Sequence, residues 1–121
     1  MAREQISYFV ENYDAYVAVK AEAEALCLTV SQLARERVFP TIAPPNFNSF
    51  LDVMALFARN LRGLAPGKFF VADCLPDNWR QFNIGFKAKI GIPFNHLVKA
   101  GLVPGVKCIG KIGSVTTYVK E

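Results

Sequence analysis

Three of the seven prolines stand close together in the segment PTIAPPNF, residues 40–47, and they constrain the fold more than any other feature of the sequence. A proline removes a backbone N–H donor and disfavours helical geometry in the residue before it. No regular helix or central strand is therefore expected to continue through this segment. The segment predicts a stiff boundary between an N-terminal unit at 1–40, a connector with a linking helix at 41–65, and a third unit at 66–121.

The chain has enough apolar residues for a packed core, since 52% of its 121 residues are hydrophobic and 20% are charged. No apolar run approaches the ~18 residues that a membrane-spanning helix requires. The cysteines, Cys27, Cys74 and Cys108, are widely spaced and odd in number, which favours free thiols in a reducing compartment. We therefore expect a soluble, cytoplasmic protein that does not contact a membrane, and the strand and helix patterns described below predict the α+β class.

The net charge of +4 is unevenly distributed along the chain. Residues 1–45 carry a net charge of −2, residues 46–65 carry +1, and residues 66–121 carry +5. Basic residues attract phosphate, so a broad phosphate-binding surface is expected in the C-terminal half.

The N-terminal unit combines one alternating segment with two helical patterns. Residues 5–10, QISYFV, alternate with a period of two, which predicts a strand. A helix is expected from Asp14 to about Leu26. After the short break CLT, the hydroxyl of Thr29 can cap a second helix, which ends before Pro40.

This order of strand, helix, Thr-x-Ser corner and helix, over residues 3–39, resembles the ribbon-helix-helix family of bacterial and phage transcription factors. The resemblance implies a homodimer whose paired N-terminal strands enter the major groove of double-stranded DNA. It also implies a transcriptional regulator of a phage, plasmid or bacterial operon. The implied DNA contacts come from the outward side of the strand and from a phosphate clamp at the corner: Arg3, Gln5, Ser7, Thr29, Val30 and Ser31.

Two residues depart from the pattern of that family. Phe9 stands where the family often has a polar residue that reads bases, and it could contact only a thymine methyl group. Cys27 stands where the corner usually has glycine.

The segment FLDVMALFARNLRGL, residues 50–64, predicts a third helix, capped by Asn48 or Ser49. Its apolar residues cover more than one stripe of the helix, so it must be buried on two sides. We expect its own unit to cover one side, and a protein partner is a possible cover for residues 50–61 on the other.

The C-terminal unit is expected to mix strands and helices in an order compatible with a winged helix. The patterns predict a strand at 68–75, a helix beginning at Asp77, a short helix ending at Gly91, a further helix beginning at Pro93, and a hairpin that turns at Gly113 and Ser114.

Basic and polar residues of this unit occupy the helix and hairpin positions at which a winged helix would meet a duplex. They are the remaining candidates for DNA binding: Lys87, Lys89, Asn95, Lys99, Lys107 and Lys111. Dispersed lysines that serve only solubility are the alternative explanation for the same residues.

No motif predicts an enzyme, a cofactor or a metal site. His96 is the single histidine, and no cysteine lies at ligand spacing from it. The sequence contains no Gly-x-Ser-x-Gly and no glycine-rich phosphate loop.

Three functions stay open: a transcription regulator that reads DNA with its N-terminal ribbon, a nucleic-acid-binding C-terminal unit with an N-terminal unit that only dimerises, and a non-enzymatic inhibitor or interaction protein.

Overall fold

The computed structural model of the chain describes residues 13–121, and these residues confirm the α+β class. The helices of this range are α1, Tyr13–Ala25; α2, Val30–Val38; α3, Phe50–Gly63; and α4, Ile84–Lys99. The strands are β1, Gly67–Phe69; β2, Val106–Ile112; and β3, Val115–Lys120. They form an antiparallel sheet in the order β1-β3-β2.

The predicted N-terminal strand at 5–10 lies outside the described residues. The same holds for three of the DNA-contact candidates, which are Arg3, Gln5 and Ser7.

The hydrophobic core lies where α3, α4 and the sheet meet. The ring of Phe94 on α4 lies 5.1 Å from that of Phe57 on α3 and 4.9 Å from that of Tyr118 on β3, measured between centroids. Leu28, from the corner after α1, is fully buried in the same cluster. One core therefore includes residues from all three of the predicted units.

The corner between α1 and α2 forms as the sequence predicts. The Thr29 hydroxyl accepts a hydrogen bond from the N–H of Gln32 at 3.1 Å and so caps α2. Cys27 has a φ of 57°, in the left-handed region that favours glycine. The chain thus makes the tight turn with a strained cysteine, whose side chain is buried in the core.

The protein's own chain covers most of the apolar side chains of α3, while Leu51 and Leu56 are half-buried, and the protein partner at 50–61 stays a prediction. The second side of the helix is covered by the α1–α2 corner, where Cys27 lies beside Ala58 and Leu61. The side chains that α3 exposes are Asp52, Ala55, Arg59 and Arg62.

The first strand of the C-terminal unit is shorter than its apolar run predicts. It ends at Phe69, because the Asp73 carboxylate accepts a hydrogen bond from the N–H of Phe70 at 2.8 Å and closes a 3₁₀ turn, Val71–Cys74. The helix expected from Asp77 is likewise only a 3₁₀ turn, Trp79–Gln81.

The two helices expected on either side of Pro93 are one continuous helix, α4. Pro93 lacks the N–H that would bond to the carbonyl of Lys89, four residues earlier. The side-chain amide of Gln32 on α2 donates to this carbonyl at 3.1 Å. The helix can continue through the proline because α2 satisfies the acceptor that the proline leaves free.

The hairpin turns at Gly113 and Ser114, as predicted. A bulge interrupts β2, so that Cys108 lies opposite Tyr118 while Lys111 lies opposite Thr116. Residues opposite each other share one face of a sheet. The bulge therefore places Lys111 on the face of Tyr118, the side of the sheet that packs against α4.

Candidate nucleic-acid interface

Helix α4 lies between two surface grooves. The α2 groove, between α2 and α4, has a volume of about 460 Å³. The hairpin groove, between α4 and the β2–β3 turn, has a volume of about 670 Å³ and is also lined by Trp79. The structure thus brings candidate residues from the α1–α2 corner and from the C-terminal unit to the two sides of one helix: Thr29, Ser31 and Lys89 on the first side, Lys87 and Asn95 on the second.

An apolar ridge separates the two grooves. Ala88 and Ile92 line both of them, and Ile84 continues the row one turn earlier. Ile84 is 87% exposed and Ile92 is 58% exposed. We call these three residues, which are four positions apart along α4, the apolar ridge.

The part of the sequence that contains α4 and the hairpin has no acidic residues. Residues 78–120, which include all of α4 and the hairpin, contain seven Lys or Arg and no Asp or Glu. Acidic residues can reach this surface only from elsewhere in the fold, and the α2 side shows one such case.

Lys89 forms an ion pair with a residue of α2. Its Nζ lies 2.8 Å from Oε1 of Glu36, and the Thr41 hydroxyl bonds to both side chains. Glu36 is buried, and burial by itself raises its pKa; the hydrogen bonds from Lys89 and Thr41 and the lysine charge outweigh this and hold the pKa below its usual range. Lys89 therefore joins α2 to α4, and its charge is neutralised by the buried carboxylate of Glu36.

Lys87 lines the hairpin groove, and Lys111 lies on the strand opposite one of its residues. The Nζ of Lys87 lies 5.4 Å from the centre of the Trp79 ring, a cation–π contact. Lys111 is exposed, and it lies opposite Thr116, a residue of the same groove. Neither lysine forms an ion pair with a residue in the range 13–121.

Three further candidates have different surroundings. Lys107 lies opposite Val119, on the other face of the sheet from Lys111, and its Nζ is 2.9 Å from Oε1 of Glu121. Lys99 is exposed in the last turn of α4. Asn95 is half-buried, and its Oδ1 atom is buried without a hydrogen-bond donor from the described part of the chain.

Among the residues that the structure describes, the α2 groove has both occupied polar groups and polar groups without a hydrogen-bond partner. The Thr29 hydroxyl caps α2, and Gln32 bonds to the Lys89 carbonyl, so both are occupied. Ser31, Arg35 and His96 are exposed along the groove. Val30 is half-buried in the first turn of α2.

Lys120 is a cation with a structural role that its sequence position did not reveal. Its Nζ donates to the carbonyl oxygens of Leu61, Arg62 and Leu64 at 2.7–2.8 Å. It thereby satisfies the free carbonyls at the end of α3.

Sequence reasoning missed Gln32, Arg35, Glu36 and Trp79 as residues that build or line this site. A signal did exist for Glu36, which follows Leu33 by three positions and so lies on the buried side of α2. No local pattern announced that Gln32 and Glu36 meet Lys89, more than fifty positions away.

The cysteines do not form a reactive or metal-binding centre. All three thiols are free; burial raises the pKa of Cys27 to about 11 and that of Cys74 to about 12, so both are protonated at neutral pH. Within residues 13–121, no three His, Cys, Asp or Glu side chains lie together as a metal site requires.

Comparison with known proteins adds no relative. No protein-family model matches the chain, and neither a curated protein nor a solved structure matches it. None of the described helices is long and apolar enough to cross a bilayer.

Proposed function

We propose that the chain binds duplex DNA through a winged-helix arrangement running from α3 to β3, with α4 in the major groove and the hairpin as the wing. The observation that carries this proposal is the position of α4. It is a partly exposed helix without acidic residues, and it lies between two grooves that carry cations and hydroxyl groups.

The topology supports the same assignment. After α3 come a short strand, two 3₁₀ turns, α4 and a terminal hairpin. The strand order β1-β3-β2 makes β2 an edge strand, and the turn between β2 and β3 lies beside α4 at the hairpin groove. The major groove is about 12 Å wide and admits one helix, which leaves the two phosphate backbones on either side of it.

Each side of α4 offers groups for one phosphate backbone. On the hairpin side these are Lys87 and Lys111, with the Thr116 hydroxyl nearby. On the α2 side they are Arg35 and His96, together with Ser31 in the first turn of α2, where helix N–H groups favour an anion. In this arrangement the corner between α1 and α2 binds a phosphate beside α4. The base contacts come from α4 and not from the N-terminal ribbon.

Homodimerisation and transcriptional regulation stay predictions from the ribbon-helix-helix resemblance. The present proposal does not depend on either of them, since every residue it uses lies in α2, α4 and the hairpin.

Salt-dependent binding of a labelled duplex tests the proposal. The full-length chain should bind a mixed-sequence duplex of about 20 bp in fluorescence anisotropy, with affinity falling about a hundredfold between about 50 and 200 mM salt if about four phosphates are contacted. Lys87→Ala and Lys111→Ala should each weaken binding and reduce the slope of log K against log salt by about one.

Lys107→Ala is the matched control, since Lys107 lies on the same strand as Lys111 but on the other face and in an ion pair with Glu121. It should bind like the unmodified chain. Loss of affinity in Lys107→Ala equal to that in Lys111→Ala would place the binding surface elsewhere. A chain that binds no duplex at the lowest salt would exclude the proposed function.

A further inference from the structure

The apolar ridge is the part of α4 that projects between the two cation-bearing grooves, and it has no hydrogen-bonding side chain. Ile84, Ala88 and Ile92 are exposed, on a helix face where polar residues are usual. The only side-chain amide in α4 is that of Asn95, and its Oδ1 atom is buried. The exposed middle of the helix therefore offers apolar contacts in place of bidentate hydrogen bonds.

The neighbours of the ridge indicate what covers it. A stable protein interface buries about 800 Å² on each partner, which a single row of three side chains does not supply. Its flanks carry Lys87 and Arg35, and α4 contains no acidic residue. These charges complement a polyanion, and the apolar group that a duplex presents in its major groove is the C5 methyl of thymine.

We infer that the apolar ridge reads thymine, by packing Ile84, Ala88 and Ile92 against C5 methyl groups in the major groove. The inference rests on the proposed function, which it extends to the bases recognised. Successive ridge residues are about 6 Å apart along the helix axis, so the row can follow the floor of a groove in which α4 lies. A duplex of alternating A·T pairs presents a thymine methyl group at every base pair along that floor.

Replacing thymine by deoxyuridine removes the methyl group and leaves every hydrogen-bonding group of the base pair in place. The probes are two duplexes of equal length, one of alternating dA-dT and one of alternating dA-dU. The full chain should bind the thymine duplex about tenfold more tightly, because two buried methyl groups at about 0.8 kcal/mol each correspond to a factor of this order.

Two variants separate methyl contact from any effect of uracil on DNA shape. The double variant Ile84→Ala with Ile92→Ala should bind both duplexes with affinities within about threefold of each other. Both side chains are largely exposed, so the fold should persist, which circular dichroism can verify. The control is Leu102→Ala: Leu102 is 46% exposed in the turn after α4 and lines neither groove, so the tenfold preference should stay.

The results distinguish this inference from the proposed function. Salt-dependent binding with equal affinity for the two duplexes would overturn the thymine inference and leave the proposed function in place. A thymine preference that survives in the double ridge variant would also overturn it, since the preference would then come from DNA shape. A chain without salt-dependent affinity for either duplex would overturn both, and the ridge would then be examined as a contact for another protein.

Discussion

The two sides of α4 carry similar residues and use them differently. On the α2 side, Lys89 is neutralised by Glu36, and Gln32 bonds to the backbone of α4. On the hairpin side, Lys87 and Lys111 have no acidic partner in residues 13–121. Lys87 and Lys89 are two positions apart on one helix, yet Lys87 has no acidic partner in residues 13–121, whereas Lys89 pairs with Glu36 and joins α2 to α4.

This difference shows that net charge overstates the charge available to a polyanion. Of the eight basic residues in 66–121, Lys89, Lys107 and Lys120 already contact a carboxylate or backbone carbonyls. A buried carboxylate such as that of Glu36 requires a cation, because an unpaired charge in the interior is strongly destabilising. Glu36, from the acidic N-terminal unit, thus neutralises part of the basic charge of the C-terminal unit.

Removing the acid on the α2 side should have the largest effect on stability. Glu36→Ala leaves Lys89 half-buried without its partner, and it removes the acceptor for both the N–H and the hydroxyl of Thr41. Because Lys89 remains 39% exposed, we expect a loss of about 2 kcal/mol in the free energy of unfolding, below the value for a fully buried pair. Urea denaturation measures this loss.

The hairpin side supplies the comparison for that experiment. Lys87→Ala removes a cation–π contact at a partly exposed site and should cost less than about 1 kcal/mol. If Glu36→Ala and Lys87→Ala lowered the free energy of unfolding equally, the α2 side would contribute no more to stability than the hairpin side, which would contradict this comparison.

A smaller effect is expected where α2 satisfies the backbone of α4. Gln32→Ala leaves the Lys89 carbonyl without a donor, and it should lower the free energy of unfolding by about 1 kcal/mol. In a Pro93→Ala background the helix regains its own N–H at residue 93, so the same substitution should cost close to nothing. A double-mutant cycle from urea denaturation measures this coupling.

The cycle has a clear opposing result. If Gln32→Ala costs the same with proline and with alanine at position 93, Gln32 contributes through packing, and its hydrogen bond does not explain why α4 continues.

The smallest effect is on the pH dependence of stability. Burial raises the pKa of Glu36, but the hydrogen bonds and charge of its partners lower it by more. The folded-state pKa therefore lies below the unfolded value. Such a group stabilises the fold above its unfolded-state pKa, and this contribution is lost as the pH falls through the folded-state pKa. The unfolding temperature should therefore differ between the unmodified chain and Glu36→Gln at pH 7, and the difference should shrink below about pH 5. A constant difference down to pH 3 would contradict this assignment.

Local features of the fold could be predicted from the sequence. The Thr29 and Ser49 caps, the turn at Gly113 and Ser114, and the end of α2 before Pro40 all appear where the patterns place them. Each depends on side chains and backbone groups within a few residues of one another, so a short window of sequence contains the whole interaction.

Predictions failed where a distant residue changed the outcome of a local preference. Pro93 predicts a helix boundary in any short window, and Gln32, from another helix, removes the reason for the boundary. The apolar run of α3 did not reveal that the α1–α2 corner, through Cys27, packs beside Ala58 and Leu61. Of the lysines that the sequence indicated for the candidate site, Lys87 and Lys111 have no acidic partner in residues 13–121, whereas Lys89 and Lys107 do, and the sequence could not identify those partners.

The sequence by itself determined the α+β class, the helix caps, the hairpin and the concentration of basic residues after position 66, because all of these follow from composition or from contacts within one or two turns of chain. Only the tertiary structure decided that α4 is a single helix between two grooves, that its exposed ridge is apolar, and which lysines are neutralised. Those properties depend on pairs such as Glu36 and Lys89, 53 positions apart, and hydrogen bonds and ion pairs act over a few ångströms of space whatever the separation along the chain.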